Sequence, residues 1–67
     1  MNIRFVRNRH HIRTVLGEMH DVPSSELPEV NDAIVFDGDW ERVLTVTKSY
    51  EPVSDTELIC WFEVDIT

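Results

Sequence analysis

The stretch IVFDGDWERVLTV, residues 34–46, decides the fold. Two apolar runs flank Asp37-Gly38, a dipeptide favoured where both central residues of a two-residue turn need positive φ. Residues 33–36 then read as one strand and residues 40–48 as the strand that returns. By period two, Trp40, Leu44 and Val46 share one face of the returning strand, and Val43, Thr45 and Thr47 share the other.

The same pattern extends outward. Residues 2–7, NIRFVR, place Ile3 and Phe5 on one face. Residues 57–66, ELICWFEVDI, form the longest strand, with Leu58, Cys60, Phe62, Val64 and Ile66 on one side and Ile59, Trp61, Glu63 and Asp65 on the other. Residues 8–20 support two readings. As a strand, Ile12, Thr14 and Leu16 face one way; as a short helix within residues 9–19, Ile12, Val15, Leu16 and Met19 share a face behind an Asn8 cap. Gly17, Thr14 and Val15 favour the strand. Residues 21–32, DVPSSELPEVND, form a loop, because Pro23 and Pro28 remove donors and the serines suit turns. Leu27 and Val30 are expected to tack that loop to the core.

These elements define an all-β domain over residues 1–67, a small meander of four to five antiparallel strands that avoids open edges by closing into a barrel. Its core is expected to draw on Ile3, Phe5, Leu16, Ile34, Phe36, Leu44, Val46, Leu58, Phe62 and Val64. The segment LPEVNDAIVFDGDWERVLTV resembles a motif of small SH3-like β-barrel accessory proteins of phage or bacterial origin. The matching residues are Pro28, Val30, Asp32, Ile34, Gly38, Trp40 and Val43, while Asn31 stands where the motif usually has Gly. The resemblance implies an SH3-like barrel and leaves the activity open, since such folds host many functions.

Charge is distributed unevenly. The chain carries a net charge of −7, with 13 acids against 6 bases. Residues 1–17 hold Arg4, Arg7, Arg9 and Arg13 and no acid. Residues 18–67 hold all thirteen acids against Arg42 and Lys48, a balance of −11. Such a field repels nucleic acid and attracts basic protein surfaces. Cys60 is the only cysteine, which excludes an internal disulfide framework. The opening MNIRFVRNRHH lacks the apolar run of a signal peptide, and no apolar stretch is long enough to span a membrane. The expected location is cytoplasmic.

The chemistry-bearing residues form no catalytic pattern. His10, His11, His20 and Cys60 lack the spacing of a metal site. Asp37 and Asp39 bracket a turn, which offers no pocket for paired-carboxylate chemistry. With two glycines there is no phosphate-cradling loop. The expectation is therefore a non-enzymatic protein-binding module without cofactor or metal. Its surface would comprise Val35, Val43, Ile59 and Trp61 on the outer face, rimmed by Asp37, Asp39, Glu41 and Glu63, an aromatic anchor within a charged rim. The partner would be a basic protein, with the acidic surface acting as an inhibitor or a nucleic-acid mimic. The alternative is a self-associating structural subunit of a larger assembly, for example a phage. A less favoured reading has Arg4, Arg7, Arg9 and Arg13 contacting phosphates.

Overall fold

The computed structural model describes residues 1–67. Five strands run in the order β1 Asn2–Arg9, β2 Ile12–Met19, β3 Ala33–Phe36, β4 Asp39–Pro52 and β5 Leu58–Ile66, and the only helical element is a 3₁₀ turn at Ser24–Glu26. They form one sheet ordered β2-β1-β5-β4-β3, a mostly antiparallel sheet that curls into a half-barrel. Residues 12–19 are strand, so the helical alternative for 9–19 does not occur. The simple meander needs one amendment, because the central β1 and β5 run parallel, with Ile3 opposite Phe62 and Phe5 opposite Val64. The intervening chain forms the long crossover that a parallel pair requires.

Local chemistry explains the turns. Asp37 (φ 50) and Gly38 (φ 85) both take the left-handed conformation that Asp-Gly supplies at the β3–β4 turn. The β1–β2 turn uses the same geometry with less suitable residues, since His10 has φ 53 and His11 has φ 64. The left-handed region costs a non-glycine residue roughly 1–2 kcal/mol. Replacing His10-His11 with Asn-Gly is expected to stabilise the domain by about 1 kcal/mol. The urea midpoint should rise while the slope of the transition stays unchanged. Asn31, at φ 74, occupies the third position of a turn closed by the Asp32 N–H to Glu29 O at 3.1 Å. Asparagine there meets the requirement for which the resembling motif uses glycine.

Two bulges bend the sheet. In β2, Leu16 is the extra residue between the Phe5–Gly17 and Val6–Val15 pairs. In β4, Val43 lies opposite Ile66 and Thr45 opposite Asp65, so Leu44 is extra. The second bulge corrects the expected facing of β4. Val43 and Val46 turn inward together although they are three residues apart, while Leu44 stays 47% exposed. Period two therefore holds on each side of Leu44 but not across it.

The core is a cluster of Ile3, Val43, Val64 and Ile66, with Phe5, Leu16, Ile34, Phe36 and Val46 packed on it. The Phe5 and Phe36 rings lie 5.6 Å apart. Leu44 and Leu58, expected in the core, are exposed, Leu58 because it begins β5 beyond the packed part of the sheet. The loop before β3 covers the core with Val22 and Leu27, and Val30 remains outside. Met1 anchors this loop, since its amino group donates to Val22 O at 2.8 Å and its carbonyl accepts from Val22 N at 2.9 Å.

Candidate interaction surface

The face opposite the core is built around Arg4. In β1 the even-numbered positions point away from Ile3 and Phe5, and register places Glu18 of β2 and Glu63 of β5 directly beside Arg4. Arg4 Nε donates to Glu18 at 2.6 Å, and Nη1 donates to Glu51 at 2.6 Å and to Glu63 at 3.1 Å. Arg13 also donates to Glu63, at 2.6 Å. The Arg4 guanidinium lies 4.1 Å over the Trp61 ring, where the ring's quadrupole attracts it. His20 meets the same ring edge-on at 5.1 Å. Arg4 and Trp61 are buried, so this face forms a second, polar core.

Protonation follows from that geometry. The Glu51 hydrogen bond leads the causes that raise the Arg4 pKa, against the cost of desolvating the cation. The hydrogen bond from Arg4 leads the causes that hold the Glu51 carboxyl below its ordinary 4.5. Burial pushes the Glu63 carboxyl up, but hydrogen bonds from Arg13 and Arg4 and their charges outweigh it and leave it lowered. Carboxyls depressed in the folded state stabilise it above their unfolded pKa, and that contribution is lost as pH falls through the folded value. Stability should therefore hold from neutral pH toward about 5, then fall below about 4.5 as the unfolded chain takes up protons first. Urea midpoints measured between pH 7 and 3 check the expectation.

Arg7 is also engaged. Its Nη2 donates to Glu41 at 3.1 Å and its Nε to Thr67 O at 2.7 Å. Three of the four arginines expected to contact phosphate thus already hold carboxylates, and only Arg9 has no ion-pair partner. The sequence-level split between a basic start and an acidic remainder is largely resolved by internal pairing.

Burial also redistributes the expected partner face. Val43 is 0% exposed and Trp61 5%, because the bulge turns Val43 inward and Arg4 covers Trp61. The patch of Val35, Val43, Ile59 and Trp61 therefore does not exist as one surface. Ile59 lies opposite Glu51 toward the far end of β5. Glu41 and Glu63 face their arginines. Val35, Asp37 and Asp39 do come together, on the β3–β4 hairpin.

That hairpin carries Trp40, which period two groups with the core-facing Val46 but which the structure turns outward. Val35 pairs with Trp40 and Ala33 with Arg42, and Trp40 is 76% exposed and Val35 58%. Leu44 continues the same outward row. The signal was present in the sequence, since a two-residue turn at 37–38 fixes Val35 opposite Trp40, and opposed residues share a face. Asp37 and Asp39 flank the pair and have no cationic partner. Of the thirteen acids, Glu18, Glu41, Glu51 and Glu63 take all the ion pairs, leaving nine against Arg9, Arg42 and Lys48.

The surface has no enclosed pocket, and no three His, Cys, Asp or Glu side chains gather where they could hold a metal ion. No helix is long and apolar enough to cross a membrane. Compared with family models, curated proteins and solved structures, the chain matches none. The fold class is a small half-barrel of SH3-like architecture.

Proposed function

We propose that the chain is a non-enzymatic, cytoplasmic module that binds a basic protein through its β3–β4 hairpin. Trp40 is the apolar anchor, backed by Val35, and Asp37 and Asp39 supply the complementary charge. The observation that carries this reading is the 76% exposure of Trp40 beside two carboxylates that no residue of the chain neutralises. Large exposed aromatics within a polar rim are the usual anchors of protein interfaces. The surplus of unpaired acids supports the narrower reading that the surface competes with nucleic acid for a basic groove, steered there by its field. The reading as an accessory protein of phage or bacterial origin rests on the sequence resemblance of residues 28–46 alone.

The test is capture of partners from source extract on the tagged protein, eluted with rising salt and identified by mass spectrometry. Trp40→Ala and the double variant Asp37→Lys with Asp39→Lys should each lose the partner that the parent retains. Added oligonucleotide should displace that partner if the acidic surface stands in for nucleic acid. Equal retention by the parent and both variants would exclude the hairpin as the binding surface.

A further inference from the structure

The sheet keeps two open edges, β2 and β3. β3 is four residues long and belongs to the hairpin above, whereas β2 spans eight residues, IRTVLGEM. Unpaired edges of that length are templates for another strand. Beyond the binding reading, and independent of it, we infer that β2 pairs antiparallel with β2 of a second copy about a two-fold axis.

The observation is a self-complementary edge. In β1, which is regular, Ile3, Phe5, Arg7 and Arg9 share one face. Their partners Met19, Gly17, Thr14 and Ile12 therefore share that face of β2, and Glu18, Val15 and Arg13 share the other. A two-fold between Val15 and Leu16 sets Ile12 against Met19 of the second copy, Thr14 against Gly17, and Arg13 against Glu18. Each of these three pairs lies on a common face, as antiparallel partners must, while at the axis Leu16 turns to the core and Val15 to the Arg4 side, so the bulged centre contributes no side-chain pair. In a regular strand they would not, because the members of each pair are an odd number of residues apart. The extra residue Leu16 brings them into phase.

Side chains agree with the register. Ile12 is 67% exposed and Met19 39%, so an apolar pair stands uncovered at each end of the edge. Arg13 spends Nη2 on Glu63, and Glu18 uses only Oε2 on Arg4. Each keeps hydrogen-bonding capacity for the other across the axis, extending the Arg4 network from one copy into the next. The dimer is a continuous ten-stranded sheet with the two Trp40 hairpins at its opposite ends. An edge of this size buries less than the roughly 1,200 Å² of a stable interface, so the dimer should dissociate in the micromolar range.

Sedimentation equilibrium of the parent over micromolar to millimolar concentration, with Arg13→Glu and Glu18→Arg alone and mixed, tests this. Each variant alone sets like charges against each other at both cross-axis pairs, and association should weaken by at least about tenfold. An equal mixture restores both opposite-charge pairs and should form a heterodimer. Far-ultraviolet circular dichroism verifies that each variant is folded. Ile12→Lys, at an exposed site outside the ion-pair network, should also weaken the dimer, while Trp40→Ala should leave it intact. A monomeric parent at millimolar concentration, equal association by all variants, or open-ended growth from β2 pairing with β3 would each overturn the inference.

Discussion

Replacing Arg4 with alanine is expected to destabilise the domain strongly at neutral pH. The side chain holds three glutamates from three strands and covers Trp61. Removing one partner of a buried ion pair costs roughly 3–5 kcal/mol. Glu18 and Glu51 are partly exposed and water screens them, so the loss falls below that range and comes chiefly from the Glu63 pair and the uncovered Trp61 ring. A domain of 67 residues has only a few kcal/mol in reserve. The variant also leaves Glu18, Glu51 and Glu63 facing one another without their cation. Acid that discharges Glu51 and Glu63 should therefore recover part of the fold, whereas the parent loses stability as pH falls below about 4.5. Arg4→Lys keeps the charge but not the planar fork that reaches several carboxylates at once, and should fall between the two. Urea denaturation of the three proteins at pH 7 and pH 3 checks the set. An unchanged urea midpoint for Arg4→Ala at pH 7 would show that the polar face contributes little.

The two tryptophans should respond in opposite ways to truncation. Trp61→Ala removes a buried ring between Arg4 and His20, and losses of about 3–5 kcal/mol are typical of such large-to-small changes. It should leave little folded protein at 25 °C. Trp40→Ala removes a ring that is 76% exposed and should change stability by no more than about 0.5 kcal/mol, while abolishing partner capture. Thermal melts followed by circular dichroism separate the outcomes. If Trp40→Ala unfolded the domain, its ring would belong to the core and not to an interface.

The all-β class, the hairpin at Asp37-Gly38 and the β5 alternation were legible because each rests on a local signal: a turn dipeptide or an unbroken period of two. The facing of β4 was only half legible. Nothing around Leu44 announces a bulge, so the alternation from Trp40 to Val46 looks continuous when it changes phase. Val43, which unbroken alternation puts outside, lies at the centre of the core. The parallel pairing of β1 with β5 could not be read from either strand alone. That pairing sets Arg4 beside Glu63 and turns an apparent electrostatic split along the chain into a set of internal ion pairs. Trp40 was recoverable, since the same turn that identifies the hairpin fixes its partner as Val35. Trp61 was not, because its cover comes from a residue 57 positions earlier in the chain.

The most direct measurement is acrylamide quenching of the Trp40→Phe variant, in which Trp61 is the only remaining tryptophan. Its ring, 5% exposed beneath Arg4, should emit at short wavelength and resist quenching until the domain is unfolded in urea. The parent, with Trp40 in water, should show a red-shifted and readily quenched component that the variant lacks. A red, easily quenched emission from folded Trp40→Phe protein would mean that Trp61 is open to solvent. It would contradict the closed polar face, and a folded parent whose emission lacked the red, quenchable component would contradict the exposed Trp40 on which the β3–β4 binding surface rests.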